Sequence, residues 1–181
     1  MKESRVWMVA SLVLTCAVAA FALSQVYAVT RPKIDYQRKV KAVQEALAAV
    51  MPAAASFHEQ EPGEMWFALD AQGNRIGTVL KAAKQGYAGP VPVTVGIGLD
   101  GRIVAVRVAS ASEGLKETPG LGLKATEPSF LSGFVGKTAP EVRLTRDGGA
   151  IDAITGATIT SRAVADGVSE AMERHLEEPA P

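Results

Sequence analysis

One long apolar run near the N-terminus divides the chain into two parts that must fold in different surroundings. Residues Val6 to Val29 are almost all apolar, and only a few Ser, Thr and Gln residues interrupt them. A helix rises about 1.5 Å per residue, so about 20 such residues cross a hydrocarbon core of about 30 Å. The run therefore predicts a membrane-spanning helix, with Trp7 and Tyr27 near its two boundaries.

A cleaved signal peptide is the alternative for the same run. Lys2 and Arg5 precede it, and Ala20 and Ala22 form a small-x-small cleavage pattern. The apolar stretch nevertheless continues to Val29, beyond the roughly 7–15 residues of a signal-peptide core. We therefore favour an uncleaved anchor in the lipid bilayer.

The flanking charges alone do not fix the orientation of this anchor. More Lys and Arg residues follow the run, from Arg31 to Lys41, than precede it. The positive-inside rule would then place the following domain in the cytoplasm, although the rule weakens when a long domain follows the span.

Composition excludes several classes of function. The chain has 19 Lys and Arg residues and 19 Asp and Glu residues, and this balance argues against a nucleic-acid partner. A single cysteine, Cys16, excludes an intramolecular disulfide and a thiolate metal site. His58 and His175 lack partners at ligand spacing, so we predict no metal site and no catalytic triad.

The remainder of the chain predicts one α+β domain. Apolar residues at helical spacing indicate an amphipathic juxtamembrane helix from Asp35 to Val50, ended by Pro52. After this helix, the pattern of branched residues predicts two antiparallel hairpins. The first pairs residues 65–69 with 75–81; the second pairs 91–99 with 103–109 through a tight primed turn at Asp100-Gly101 and forms the centre of the sheet.

A C-terminal helix completes the predicted domain. It runs from about Thr160 to Leu176, with an apolar stripe of Val164, Val168, Ala171 and Met172. We expect three parts: an N-terminal membrane anchor (1–29), a juxtamembrane amphipathic helix (30–52) and a compact domain (53–181) with a central antiparallel sheet and flanking helices.

Small and hydroxyl residues precede that last helix. The stretch from Asp152 to Ser161 contains Gly156 with Thr155, Thr158 and Thr160 nearby. A helix N-terminus offers unpaired amides and a positive dipole end to an anion, so the stretch is typical of a phosphate site. An ordinary helix cap explains the same residues, and several hydroxyls compete for the role of a covalent acceptor.

Two motifs in sequence order resemble the FMN-binding domain family. Asp152, Thr155, Gly156, Ala157 and Thr158 match its Asp-x-x-(Ser/Thr)-Gly-Ala-Thr motif, and Glu117 to Gly122 match its Glu-Thr-Pro-Gly-Leu-Gly loop. The resemblance implies that FMN is attached covalently to Thr158 through a phosphodiester.

The resemblance also implies roles for the neighbouring residues. Thr155, Gly156, Ala157 and Thr160 would surround the phosphate. The isoalloxazine ring would lie across the loop from Glu117 to Gly122, with Thr118 and Leu121 in contact with it, and Lys124 would favour the anionic reduced flavin. Asp152 would serve recognition by a flavin transferase that uses FAD and a divalent metal, or act as a turn residue or as a hydrogen-bond acceptor at the helix entry.

Nearly the whole chain resembles the G subunits of Rnf-type complexes, which pass electrons between ferredoxin and NAD and couple this to ion movement. Thr30 to Ile34, Ala46 to Pro52 and Gly86 to Val91 carry this likeness. It implies an electron-transfer subunit with other membrane redox subunits as partners, in a bacterial inner membrane with the FMN domain on the periplasmic side.

Three alternatives remain. The C subunit of sodium-translocating NADH:quinone reductase shares the anchor, loop and flavin motif but is usually longer. A flavin-free assembly module would use the glycine-rich segments only to shape an interface. An FMN-domain sensor or extracellular reductase module would work without an ion pump.

Overall fold

The chain forms a long N-terminal helix followed by a five-stranded antiparallel sheet with helices against it. The computed structural model describes residues 2–177 and, within them, the side chains of residues 7–31, 33–34 and 40–175. The helices are α1 (Lys2–Val50), α2 (Pro128–Leu131) and α3 (Thr158–Glu177). The strands are β1 (Ser56–Glu61), β2 (Met65–Leu69), β3 (Arg75–Gln85), β4 (Pro90–Gly98) and β5 (Ile103–Val108). Short 3-10 turns cover Ala111–Glu113, Gly122–Thr126, Ser132–Phe134, Ala139–Glu141 and Thr145–Asp147.

The chain separates into two units, residues 1–43 and residues 44–181. In the first unit, α1 contains one stretch, Trp7–Arg31, that is long and apolar enough to cross a membrane. This confirms the predicted apolar N-terminal helix. The juxtamembrane helix is not separate from it, because α1 continues without interruption to Val50. Four of the basic side chains that flank this stretch lie outside those described, namely Lys2, Arg5, Arg38 and Lys39.

The second unit begins with the last turns of α1, whose apolar side chains are buried. Leu47 and Val50 of α1, and Met51 directly after it, are each at most 4% exposed. Gly96 of β4 has no room for a side chain, because a Cβ there would collide with the carbonyl group of Val50. The helix ends before Pro52, as predicted, since proline lacks the amide that would continue the hydrogen-bonded pattern.

The sheet has the strand order β1-β2-β3-β4-β5, with every neighbouring pair antiparallel. Both predicted hairpins are confirmed. The prediction that the 91–99/103–109 hairpin forms the centre of the sheet is wrong, because β3 is central and β5 lies at an edge. Strand β1 was not predicted, since its sequence Ser-Phe-His-Glu-Gln-Glu is mostly polar and almost wholly exposed.

The turn between β4 and β5 also differs from the predicted primed turn. Gly101 has a φ of 74°, but no residue other than glycine has a positive φ in the described part of the chain. A type I′ turn needs positive φ at both central residues, so Asp100 does not form one. The amide of Gly101 donates to the carbonyl of Gly98, and that of Gly98 to Arg102. These bonds are typical of a three-residue loop with a glycine bulge.

Helix α3 packs against β3 and β4 and closes the core of the second unit. The predicted apolar stripe is confirmed, because Val164, Val168, Ala171 and Met172 are each at most 2% exposed. Asp166 and Glu170 face water on the opposite side. The helix begins at Thr158, two residues before its predicted start, and this places Thr158 in its first turn.

Phe134 is the largest side chain buried completely in this core, and it stacks edge-to-face on Phe130 with ring centroids 5.3 Å apart. We expect Phe134→Ala to lower the free energy of unfolding by about 3–5 kcal/mol, because truncation leaves a cavity in a packed interior. Urea unfolding of the detergent-solubilised chain measures this. The half-exposed neighbour Val135, changed to Ala, should cost under about 1 kcal/mol. Equal losses in the two variants would contradict the packing argument.

Glu113 fixes the chain where it leaves β5. Burial raises the pKa of its carboxyl, but hydrogen bonds from Arg107 and Ser110 outweigh burial and lower the pKa from 4.5 to about 2. A depressed carboxyl pKa contributes stability above pH 4.5 that disappears as the pH falls towards 2. We expect Glu113→Gln to cost about 2 kcal/mol at pH 7, and the cost to shrink below pH 4.5.

Unfolding curves at several pH values test this expectation. Glu127→Gln, at an exposed position, is the matched control and should leave the pH profile unchanged. A Glu113→Gln deficit that stays constant down to pH 2.5 would show that the ion pair with Arg107 does not stabilise the fold.

Candidate functional site

A cavity of about 530 Å³ opens at the N-terminal end of α3. Three segments meet there: the β3–β4 turn with Tyr87, the loop after β5 and the start of α3. Its lining residues are Tyr87, Glu117, Thr118, Leu121, Gly122, Gly156, Ala157, Thr158, Ile159 and Thr160. Sites for small molecules and cofactors commonly enclose about 300–1,000 Å³, so this cavity has the size of a ligand site.

The chain enters α3 through a tight turn at Ile154 to Ala157. The amide of Ala157 donates to the carbonyl of Ile154 over 3.0 Å, and Gly156 has a φ of 79°, the pattern of a type II turn. The hydroxyl of Ser161 accepts from the amide of Ile154 and donates to the carbonyl of Ala157, each over 3.0 Å. Ser161 therefore locks the turn onto the helix that follows it.

This arrangement leaves amide groups at the start of α3 for a ligand. The carbonyl of Ala157 accepts the first helical bond, from the amide of Ser161. The amides of Thr158, Ile159 and Thr160 precede that bond and have no acceptor within the helix. Together with the positive end of the helix dipole, they favour a negatively charged group beside Thr158.

A buried carboxylate connects segments that line the cavity through its hydrogen bonds. Glu117 is only 5% exposed, and its Oε2 accepts from the Thr160 hydroxyl over 2.8 Å while its Oε1 accepts from the Ala88 amide over 3.2 Å. Gly122 leaves the space that this side chain fills, because a Cβ there would lie 2.5 Å from Oε2. The second glycine of the Glu-Thr-Pro-Gly-Leu-Gly loop is therefore explained by packing, because a larger residue would displace Glu117.

Apolar side chains form the outer rim. Tyr87, Leu121 and Ile159 are 70%, 44% and 53% exposed. Large apolar groups that converge on a cavity while open to water are typical of surfaces that a ligand or partner covers. The site therefore combines an anion-binding end with an apolar rim, which suits a planar molecule that carries a phosphate.

Most of the predicted site residues meet at this cavity. Glu117, Thr118, Leu121, Gly122, Gly156, Ala157, Thr158 and Thr160 line it. Three do not: Asp152 is exposed two residues before the Ile154 to Ala157 turn, Thr155 is exposed within that turn, and Lys124 is exposed on the 3-10 turn Gly122–Thr126.

Sequence reasoning missed Tyr87 and Ile159. Tyr87 lies in the Gly86 to Val91 stretch, whose likeness to a known family does not by itself mark a site residue. Ile159 is an apolar residue on the water-facing side of an amphipathic helix, and that breach of the pattern could have marked it. Among the side chains that the structure describes, no group of His, Cys, Asp and Glu residues is placed to hold a metal ion.

Residues 86–173 match the family model described as the FMN-binding domain. The chain therefore carries an FMN-binding domain after an apolar N-terminal helix. This match spans the β3–β4 turn, the Glu117 to Gly122 loop and most of α3, and so contains every residue that lines the cavity.

Relatives that match nearly the full chain identify a narrower family within this class of protein. The G subunit of the proton-translocating ferredoxin:NAD(+) oxidoreductase complex of Clostridium ljungdahlii is 31% identical, over 91% of this chain and 88% of that protein. The G subunit of an ion-translocating oxidoreductase complex of Methanosarcina acetivorans is also 31% identical, over 91% of each. The chain belongs to this family of G subunits, which confirms the resemblance seen in the sequence.

Among solved structures, the crystal structure of NqrC from Shewanella oneidensis is similar, with 26% identity and a TM-score of 0.46 over 60% of this chain and 52% of that one. The relatives that match over nearly the full chain are G subunits. The C-subunit alternative therefore stays second.

Proposed function

We propose that this chain is the covalent-FMN electron-transfer subunit of a membrane-bound, ion-translocating ferredoxin:NAD oxidoreductase complex. The observation that carries the proposal is the position of Thr158, which is the first residue of α3 and lines the cavity beside the free helix amides. A hydroxyl at that point can hold a phosphate where the amides already favour one.

The residues present fit FMN at both of its ends. The amides of residues 158–160 offer donors to a phosphodiester, and Gly156 lets the backbone turn sharply beside it. Tyr87, Leu121 and Ile159 offer apolar contact to an isoalloxazine ring, and the cavity volume falls within the range of cofactor sites.

Bound FMN supplies a centre that accepts and gives up one or two electrons. The protein's contribution is to hold that centre. A covalent link at Thr158 removes diffusion, so the distances to electron donor and acceptor stay fixed inside an assembly. The exposed rim then does not need high affinity, because the tether replaces it.

Attachment would need an outside enzyme, because a threonine hydroxyl is a poor nucleophile at neutral pH. We propose that a flavin transferase uses FAD and a divalent metal: the Thr158 oxygen bonds to the flavin-side phosphorus, the bond to AMP breaks, and the hydroxyl proton leaves to a base. Asp152 and Thr155 are both exposed shortly before Thr158 in the chain, which supports a role for them in recognition by such an enzyme.

The exposed Lys124 does not line the cavity, so any effect of its charge on reduced flavin acts at longer range and is screened by water. The Thr160 hydroxyl donates its hydrogen to Glu117, which leaves the helix amides rather than Thr160 as donors to the phosphate.

We further propose that α1 anchors the chain in a bacterial inner membrane with the FMN domain on the periplasmic side, among other redox subunits. By their names, the relatives reported above are G subunits of ion-translocating oxidoreductase complexes, which supports other redox subunits as partners. A translocated domain overrides flanking charge, and the basic residues after the span can contact lipid headgroups.

Membrane-purified chain tests the proposal. We expect intact mass spectrometry to show one FMN per chain with α1 retained, and flavin fluorescence to persist on a denaturing gel. Other redox subunits should co-purify under mild detergent. If chain co-expressed with a flavin transferase released all its flavin on denaturation, covalent attachment would be wrong. A flavin-free native complex with full electron transfer would favour the assembly module.

A further inference from the structure

Glu117 is an unusual residue for the interior of this domain. Among the side chains that the structure describes, it is the only charged one that is buried, with 5% of its surface exposed. None of the ion pairs between described residues includes it. A carboxylate out of water is costly unless hydrogen bonds compensate, so its partners should reveal why it is there.

Its two partners belong to different walls of the cavity. Ala88 lies in the β3–β4 turn next to Tyr87, and Thr160 lies in the first turn of α3, two residues after Thr158. Glu117 itself begins the third wall. One carboxyl group therefore links all three segments that line the cavity.

The packing around Glu117 leaves it little freedom. A Cβ on Gly86 would collide with Oε1, and a Cβ on Gly122 would lie 2.5 Å from Oε2 and 2.8 Å from the Glu117 Cβ. Thr160 is 1% exposed, so its hydroxyl is held away from water as well. The carboxylate thus has one defined position, with each oxygen already accepting a bond.

We propose that Glu117 is a positioning residue of the flavin site: through Ala88 and Thr160 it holds Tyr87 and Thr158 at a fixed separation. It acts through these neighbours rather than as a ligand of its own. Its negative charge also lies beside the cavity, where it opposes the addition of electrons to a bound cofactor. The inference rests on the proposed function and assigns one internal residue a role in it.

Two variants separate the positioning role of Glu117, which depends on its hydrogen bonds, from the effect of its negative charge. Glu117→Gln keeps the volume and removes the charge, whereas Thr160→Val removes the hydroxyl donor and keeps the charge. Glu127→Gln, at an exposed position, is the control. Full-length, detergent-solubilised chains would be loaded by a flavin transferase with FAD, and the midpoint potential of the loaded chains would be measured.

We expect both site variants to lower kcat for loading at least tenfold with an unchanged KM for the chain, because the exposed recognition surface stays intact. Glu117→Gln should raise the midpoint potential of the bound flavin above that of Thr160→Val, because only Glu117→Gln removes the negative charge. For this two-electron couple, a tenfold change in the reduction equilibrium appears as a shift of about 30 mV in the midpoint potential.

Wild-type loading rates in both variants would overturn the inference, and so would a raised KM with unchanged kcat. The inference would also be overturned if loading fell only in proportion to the melting temperature and Glu117→Gln did not shift the midpoint potential. Glu117 would then stabilise the fold in general rather than position the flavin site. Failure of the proposed function is distinct, because then the wild-type chain itself would carry no covalent flavin.

Discussion

Thr158→Val should abolish covalent flavin while leaving the fold intact. Valine has nearly the shape of threonine but lacks the hydroxyl oxygen that a phosphodiester requires. Thr158 is half-buried at the first turn of α3, where a branched residue without a hydroxyl still packs. We expect intact mass spectrometry to show complete loss of the FMN mass, with a melting temperature close to that of the wild type.

The hydroxyls near Thr158 provide matched controls. Thr118 lines the same cavity from the opposite loop, and Thr155 is exposed on the turn before α3. Thr118→Val and Thr155→Val should both keep the covalent flavin. Thr160 is less suited as a control, since its hydroxyl donates to Glu117 and its loss would disturb the site.

Thr158→Ser gives the complementary test, because serine restores an oxygen at the same point and should regain part of the loading. Covalent flavin that persists in Thr158→Val and disappears in Thr155→Val would move the acceptor to Thr155. Flavin that persists in both would refute attachment at this turn.

The strands were predictable because hydrophobic periodicity and turn residues act locally. Alternating branched residues between 91 and 109 specify two paired strands whatever the rest of the chain does. The type of the turn between these strands could not be predicted, because Asp100-Gly101 suits both a primed turn and a type I turn with a bulge. Strand β1 had no apolar signal, since it pairs through its backbone with β2 while its side chains face water.

The site was predictable only as two motifs far apart in sequence. Glu117 and Thr160 are 43 residues apart, and only the packing of α3 against β3 and β4 brings them within hydrogen-bond distance. The same packing places Tyr87 at the rim. Sequence reasoning therefore found the residues on each side but assigned Glu117 to the ring and Thr160 to the phosphate, whereas the structure pairs them with each other.

Gly122→Ala should greatly impair flavin loading, even though it adds a single methyl group. The new Cβ would lie 2.5 Å from Oε2 and 2.8 Å from Cβ of Glu117, and 3.2 Å from the Thr160 hydroxyl. The end of Glu117 could swing away, but its Cβ belongs to the rigid start of the side chain. Glu117 must therefore move with its backbone, and its bond to Thr160 is lost.

Overpacking of this kind costs about 1–3 kcal/mol, and a stranded buried carboxylate adds to the cost. We expect Gly122→Ala to lose most covalent flavin under conditions that load the wild type fully, with a measurable fall in urea stability. Gly89→Ala is the control near the site, because its Cβ would meet Lys116 only at an ordinary 3.7 Å. Equal loading of the two alanine variants would show that the space at Gly122 is not needed for the Glu117 side chain.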